Sequence, residues 1–319
     1  MGSDVTAPPV EARGLVKRYG EVVAVDGVDL TVEPGDVYGY LGPNGAGKTT
    51  VLRMLLGLIV PTAGEVRLFG SDPLVDGARA LDGVAGFVEA PRFYPYLTGR
   101  KNLEMLAALD GGDAASRIDG ALDVVELTDR QRHRVGGYSH GMRQRLGVAA
   151  ALIRDPRLLL LDEPATGLDP AGMRDMRALV ARLALSGTTV LLSSHLLTEV
   201  EELCNRVAIV RTGRIVFEGA LDDLKRTAGS EWRLRTTDDE RALQVLASRR
   251  GIEGVRRDPL DLRFEATEEA AAELSIALVQ SGLGIRALAP HTATLEDLFF
   301  HLTEGEPETT TAPEEVQVA

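Results

Sequence analysis

The stretch Gly42-Pro43-Asn44-Gly45-Ala46-Gly47-Lys48-Thr49-Thr50 constrains this chain more than any other. It fits G-x-x-x-x-G-K-[ST], the pattern of a phosphate-binding loop. Val37, Gly39, Tyr40 and Leu41 lead into it as a buried strand would. Val51, Leu52, Met54, Leu55 and Leu56 lead out with an apolar helix pattern. Strand, loop and helix in that order are the setting the motif requires. Glycines let backbone N–H groups turn inward around an anion, and the helix start adds its positive end. Lys48 can reach the β- and γ-phosphates, and the Thr49 hydroxyl can ligate Mg²⁺. Such a loop specifies a nucleotide and leaves open what the energy is used for.

Further along, four leucines (Leu158–Leu161) precede Asp162-Glu163-Pro164. They read as a buried parallel strand delivering acids at its carboxyl end, the edge where a phosphate loop also sits in a doubly wound sheet. Asp162 is expected to hold Mg²⁺ through water, and Glu163 to take a proton from attacking water. Thr188–Ser194 is another buried strand, and it aims His195 at the same edge as a γ-phosphate contact. Ser139 is placed as a helix N-cap, with Leu146, Ala149, Ala150 and Ile153 following at helical spacing. Ser139 and Gly141 there form either a second anion site or an ordinary capped helix. Tyr19, in the turn Arg18-Tyr19-Gly20, either stacks on a base or is a half-buried residue at a sheet edge.

Composition narrows the class. The 319 residues are 44% hydrophobic and 26% charged, as in an ordinary globular chain. No apolar run approaches the ~18–20 residues that span a bilayer, so any membrane role is expected to come through a partner. Met1–Asp4 lacks the basic and apolar segments of a secretory signal. The single cysteine, Cys204, fits a reducing compartment and reads as packing. The formal net charge of −13 disfavours nucleic acid as a partner and fits a cytoplasmic protein that must stay soluble.

The chain divides as follows. Residues 1–9 are expected to be a disordered tail. A nucleotide domain spans 10–228, with a mostly helical insert at about 73–155. Inside the insert, Glu89–Thr98 holds two prolines and three aromatics, which reads as a loop with exposed rings, the kind that marks partner surfaces. Residues 231–303 form a small α+β domain in the order β-α-β-β-α-β, which matches a ferredoxin-like split unit. Residues 304–319 are acidic and Thr/Pro-rich, and are expected to be disordered.

In this order the motifs resemble an ATP-binding cassette (ABC) ATPase, a phosphate-loop NTPase, over roughly residues 10–227. The resemblance rests on Tyr19, Gly42–Thr50, Glu89, the signature Tyr138-Ser139-His140-Gly141-Met142, Asp162-Glu163, Gly167-Leu168-Asp169 and His195. It implies ATP and Mg²⁺ as cofactors and a head-to-tail homodimer with two ATP molecules at its interface. Tyr19 would stack on adenine. Gly42, Asn44, Gly45, Ala46, Gly47, Lys48, Thr49 and Thr50 of one chain would hold phosphates, with Ser139 and Gly141 of the other, and Asp169 would communicate across the interface. Thr49, Glu89 and Asp162 would hold the metal, and Glu163, His195 and Lys48 would do the chemistry.

Two departures stand out. Glu89 occupies the place of the family's usual Gln, so it either ligates Mg²⁺ or stays back and binds a partner. His140 replaces the first signature Gly, and Met142 the usual Gln. Glu89-x-Pro91, Phe93–Thr98 and the Tyr138–Arg145 run are similar to the ATPases of bacterial drug-efflux exporters, of the daunorubicin- and bacitracin-resistance type. Such subunits pair with a separate membrane permease, peripheral on the inner face of the cell membrane. Leu295–Thr303 resembles the segment that ends many of them, and the C-terminal domain is expected to stabilise a dimer or to regulate. The other function classes are a translation factor, a DNA-repair ATPase and a soluble ATP-dependent regulator. The chain has neither the long charged linker nor the coiled coil of the first two.

Overall fold

The computed structural model describes residues 7–227, 231–258, 261–291 and 299. Leu295–Thr303, apart from Phe299, and the acidic stretch 304–319 lie outside them. Pro9, expected to end a disordered tail, is buried, and its carbonyl accepts the Phe69 N–H.

Two compact units divide at Leu221/Asp222. In the first, two long strands, β1 (Val10–Tyr19) and β2 (Val22–Val32), pair antiparallel. Their alternating buried positions, among them Val10, Ala12, Leu15, Val28, Leu30 and Val32, give each strand one apolar face. Strand β3 (Val37–Leu41) enters the phosphate loop, and helix α1 (Lys48–Leu55) leaves it. Strand β4 (Ala63–Arg67) then pairs with β1, giving a three-stranded sheet in the order β2-β1-β4.

The larger sheet adds β5 (Val84–Phe87), β6 (Leu158–Asp162), β7 (Thr189–Ser194), β8 (Arg206–Arg211) and β9 (Arg214–Ala220), in the order β5-β6-β7-β3-β8-β9. Only β9 runs antiparallel to its neighbour. All residues of β3, β6 and β7 are buried, as expected of parallel strands covered on both faces. Helix α1 packs on both sheets. Val51, Leu52, Met54 and Leu55 share one core with Val10, Val25 and Val66 from the small sheet and Tyr38, Leu160 and Val210 from the large one. Cys204 is a buried free thiol, in keeping with packing.

Between β5 and β6 lie helices α2 (Gly99–Asp110), α3 (Ile118–Val124) and α4 (His140–Leu152). Their starts follow local chemistry: Thr98 and Ser139 each cap a helix by accepting a backbone N–H three residues on. Residues 114–117 form a separate short 3₁₀ turn ahead of α3. Helix α5 (Pro170–Leu185) starts at an Asp169 cap, and α6 (Leu197–Leu203) follows β7. Helix α7 (Leu221–Thr227) comes next.

The second unit carries β10 (Glu231–Thr236), α8 (Asp239–Ala247), β11 (Ile252–Arg257), β12 (Leu262–Ala266), α9 (Glu268–Gln280) and β13 (Ile285–His291). Its strands pair antiparallel in the order β11-β12-β10-β13. Leu234, Leu246, Leu262, Phe264, Leu274 and Leu278 form its core. Among the described residues, no helix is long and apolar enough to cross a membrane.

Candidate functional site

The register of the large sheet brings four strand ends to one edge. Leu41 of β3 lies beside Ser194 of β7, Asp162 of β6 beside Ser193, and Phe87 of β5 beside Leu161. The chain leaving each end supplies the phosphate loop (β3), His195 (β7), Glu163 (β6) and Glu89 (β5). Motifs spread over some 150 residues therefore meet because parallel strands all point one way.

The loop itself is shaped by its glycines. Gly47 has φ +96°, and a Cβ there would lie 2.3 Å from the carbonyl oxygen of Ala24. No other residue fits, so the strand below dictates the last glycine. The Ala46 N–H donates to the Pro43 carbonyl, which closes the turn through Asn44 and Gly45. Thr50 is half-buried in the first turn of α1.

Lys48 is 5% exposed, and its ammonium donates to the carbonyls of Gly42 (2.8 Å) and Pro43 (3.2 Å). It also lies 3.2 Å from Glu163 Oε1. A buried cation with these partners and an adjacent glycine cradle fits a polyphosphate. Asp162 is buried as well. Its Oδ2 accepts the Thr49 hydroxyl at 2.9 Å and the Glu89 backbone N–H at 3.2 Å, and its Oδ1 accepts the Ser193 hydroxyl at 2.6 Å.

Glu163 has φ +48°, a left-handed conformation that a non-glycine residue keeps only when its surroundings insist. Here its N–H donates to the carbonyl and the hydroxyl oxygens of Ser193. Its Oε2 accepts the Thr166 hydroxyl at 2.7 Å and His195 Nδ1 at 3.0 Å. A carboxylate only accepts, so Nδ1 of His195 carries the proton. Burial pushes the Glu163 carboxyl up, but the Thr166 hydrogen bond, the Lys48 ammonium and His195 outweigh it and hold the pKa below the ordinary value. The residue is an ionised acceptor at neutral pH.

Glu89 stands differently from Asp162. Its backbone, at φ +67°, turns the N–H onto Asp162, while its carboxylate pairs with Arg53 of α1. Thr49, Glu89, Asp162, Glu163 and Thr166 nonetheless line one depression, together with His140 and Gln144 of α4. Among the described residues no group of three His, Cys, Asp or Glu side chains could hold a metal. A hydroxyl and one carboxylate beside a phosphate site are the sparse protein set that suits Mg²⁺, which takes its remaining ligands from phosphates and water.

Ser139, Gly141 and Asp169 line a second depression, with Met142, Arg145 and Gly167. No phosphate-loop residue lines it. Tyr19 ends β1, is 47% exposed, and has the Lys17 ammonium 5.1 Å from its ring centre. The residues missed by sequence reading are Ser193, Thr166 and Arg53. Ser193 carried a faint signal, as a hydroxyl at the end of a buried strand. Arg53 carried none.

Residues 25–166 match the family described as ABC transporter. The bacitracin transport ATP-binding protein BcrA of Bacillus licheniformis is 36% identical, over 93% of this chain and 97% of that protein. The daunorubicin/doxorubicin resistance ATP-binding protein DrrA of Streptomyces peucetius is 38% identical, over 97% and 98%. Two solved structures are similar. One is described as the ATP binding subunit of an ABC transporter (TM-score 0.61, 28% identity, 68% of this chain and 92% of that one). The other is the dimeric structure of MJ0796, a bacterial ABC transporter cassette (TM-score 0.59, 26% identity, 66% and 98%). With its phosphate loop, acidic strand end and histidine joined at one sheet edge, this chain belongs to the ABC transporter family, as an ATP-binding subunit with ATPase activity.

Proposed function

We propose that the chain is the ATP-hydrolysing subunit of an exporter, working as a head-to-tail homodimer on a separate membrane permease. Glu163 takes the proton from water attacking the γ-phosphate, His195 holds the Glu163 carboxylate, and Lys48 neutralises phosphate charge. Thr49 and Asp162 would hold Mg²⁺, with Glu89 as a third ligand once it leaves Arg53; the ion would supply neutralisation of phosphate charge. Tyr19 stacks on adenine. The observation that carries the dimer is Gly141. Its Cβ would meet only Leu168 Cδ2, at 3.6 Å, so its own chain does not demand a glycine. The requirement fits a phosphate held by another copy, which Ser139 would also contact, while Asp169 links the two sites. The dimeric cassette among the similar structures agrees with this reading.

The relatives are named for bacitracin transport and for daunorubicin/doxorubicin resistance, which supports a drug, antibiotic or lipid-like cargo. Tyr94 and Tyr96, 50% and 64% exposed with ring centres 5.7 Å apart, are the proposed permease contact. The subunit would then lie on the cytoplasmic face of the membrane through that partner. The strand order of the second unit supports a ferredoxin-like domain that stabilises the dimer or regulates it. The test is Glu163→Gln with ATP and Mg²⁺. We expect a stable dimer by light scattering and co-purification with a multispanning protein from native membranes. A monomer at saturating ATP would refute the dimer.

A further inference from the structure

His140 opens α4, and its Nε2 lies 3.0 Å from the carbonyl oxygen of Thr166. A carbonyl only accepts, so Nε2 carries the proton and donates. Thr166 in turn donates its hydroxyl to Glu163 Oε2 at 2.7 Å. Two hydrogen bonds thus run from the first residue of the signature helix to the carboxylate of Glu163 in the same chain. Gln144 is one turn further along α4, on the same face. It is 3% exposed, lines the same depression as Thr49, Asp162 and Glu163, and leaves its Oε1 without a hydrogen-bond partner. Ser139 and Gly141 line the other depression with Asp169, and His140 borders that one as well. Helix α4 therefore places Gln144 toward its own chain's carboxylates, Ser139 and Gly141 on the other depression, and His140 at the border of both.

We propose that His140 is a positioning residue for Glu163 of its own chain, acting through Thr166. This rests on the head-to-tail dimer, in which Ser139 and Gly141 of the same helix serve the partner's nucleotide. Helix α4 then touches both ATP sites: one through its cap, the other through His140. A shift of the cap on the partner's phosphates is passed to the base that hydrolyses the chain's own ATP. A glycine at position 140 has no such reach.

The test uses full-length heterodimers carrying two different affinity tags. One protomer carries Glu163→Gln, so only the site built on the other protomer's Glu163 turns over. His140→Phe is then placed either on the protomer that supplies the working Glu163 or on its mate. Loss of one hydrogen bond in the relay should lower kcat about 5- to 10-fold in the first arrangement, with KM for ATP within about twofold. In the second arrangement kcat should stay within twofold. Ser139→Ala is run in both arrangements as a control and should act only from the mate.

His140→Gln, whose amide nitrogen reaches about as far as Nε2, should restore turnover, and the shorter His140→Asn should not. Equal effects of His140→Phe in both arrangements, or an effect only from the mate, would overturn the relay while leaving the dimer intact. If Ser139→Ala acts from its own protomer, the dimer reading fails instead. Failure of His140→Gln to rescue would reduce His140 to a packing residue.

Discussion

Lys48 Nζ lies 3.2 Å from Glu163 Oε1, so the proposed phosphate-binding cation and the proposed base hold each other. In the proposed site a triphosphate would compete with Glu163 for that ammonium. Binding would free the carboxylate on one side, while Thr166 and His195 hold the other oxygen.

Replacing Glu163 by Gln separates the two roles. Turnover should fall by about 10²–10⁴. ATP should bind at least as tightly as to the wild type, because Lys48 has lost a charged competitor. Phosphate release and a fluorescent-nucleotide titration measure the two quantities. Near-normal turnover would remove Glu163 from the role of base.

Glu89→Gln tests the departure from the family's common pattern. The carboxylate is paired with Arg53 and must leave it to reach a metal beside Asp162. We expect the variant to need several-fold more Mg²⁺ for half-maximal ATP binding. Superimposable Mg²⁺ titrations would leave Glu89 as the partner of Arg53 alone.

Gly47→Ala should abolish nucleotide binding. Its Cβ would sit 2.3 Å from Ala24 O, at a φ of +96° that alanine resists. A loss of at least about 2 kcal/mol of stability is expected from backbone displacement. Chemical denaturation and an ATP titration check it, and a wild-type denaturation midpoint would contradict the packing.

Glu199 gives the first unit a pH dependence. It is 3% exposed, accepts a hydrogen bond from Ser194, and leaves Oε1 unpartnered. Burial, reinforced by the charge of Glu163 and opposed by Ser194 and Arg177, raises its pKa from 4.5 to about 7. A carboxyl raised by folding contributes stability that is fully present below 4.5 and is lost as pH rises through about 7. Glu199→Gln should remove that decline, on the order of 3 kcal/mol between the two limits. Tm measured from pH 4.5 to 8 reads it directly, and parallel curves for variant and wild type would dismiss it.

Local patterns carried much of this molecule in the sequence alone. Gly42–Thr50 is contiguous, and four leucines before Asp162-Glu163 announce a buried strand with acids at its end. The polar end of β7 announces His195 in the same way. The Ser139 and Asp169 caps are equally local, because a cap bonds a backbone N–H three residues away. The long pairing of β1 with β2 was less legible. Its register shifts near Ala12, Leu15 and Lys17 break the alternation into what look like shorter runs.

Only the tertiary structure decided which side chains hold one another. Arg53 and Glu89 are 36 residues apart, His140 and Thr166 are 26 apart, and Ser193 reaches Asp162 across 31. None of these pairs has a spacing that a helix or a hairpin would impose. They exist because parallel strands deliver their carboxyl ends to one edge, where α1 passes and α4 starts. A residue type announces what chemistry a position can perform. Its partner is set by the packing of distant elements, and that is where the link from His140 to Glu163 arises.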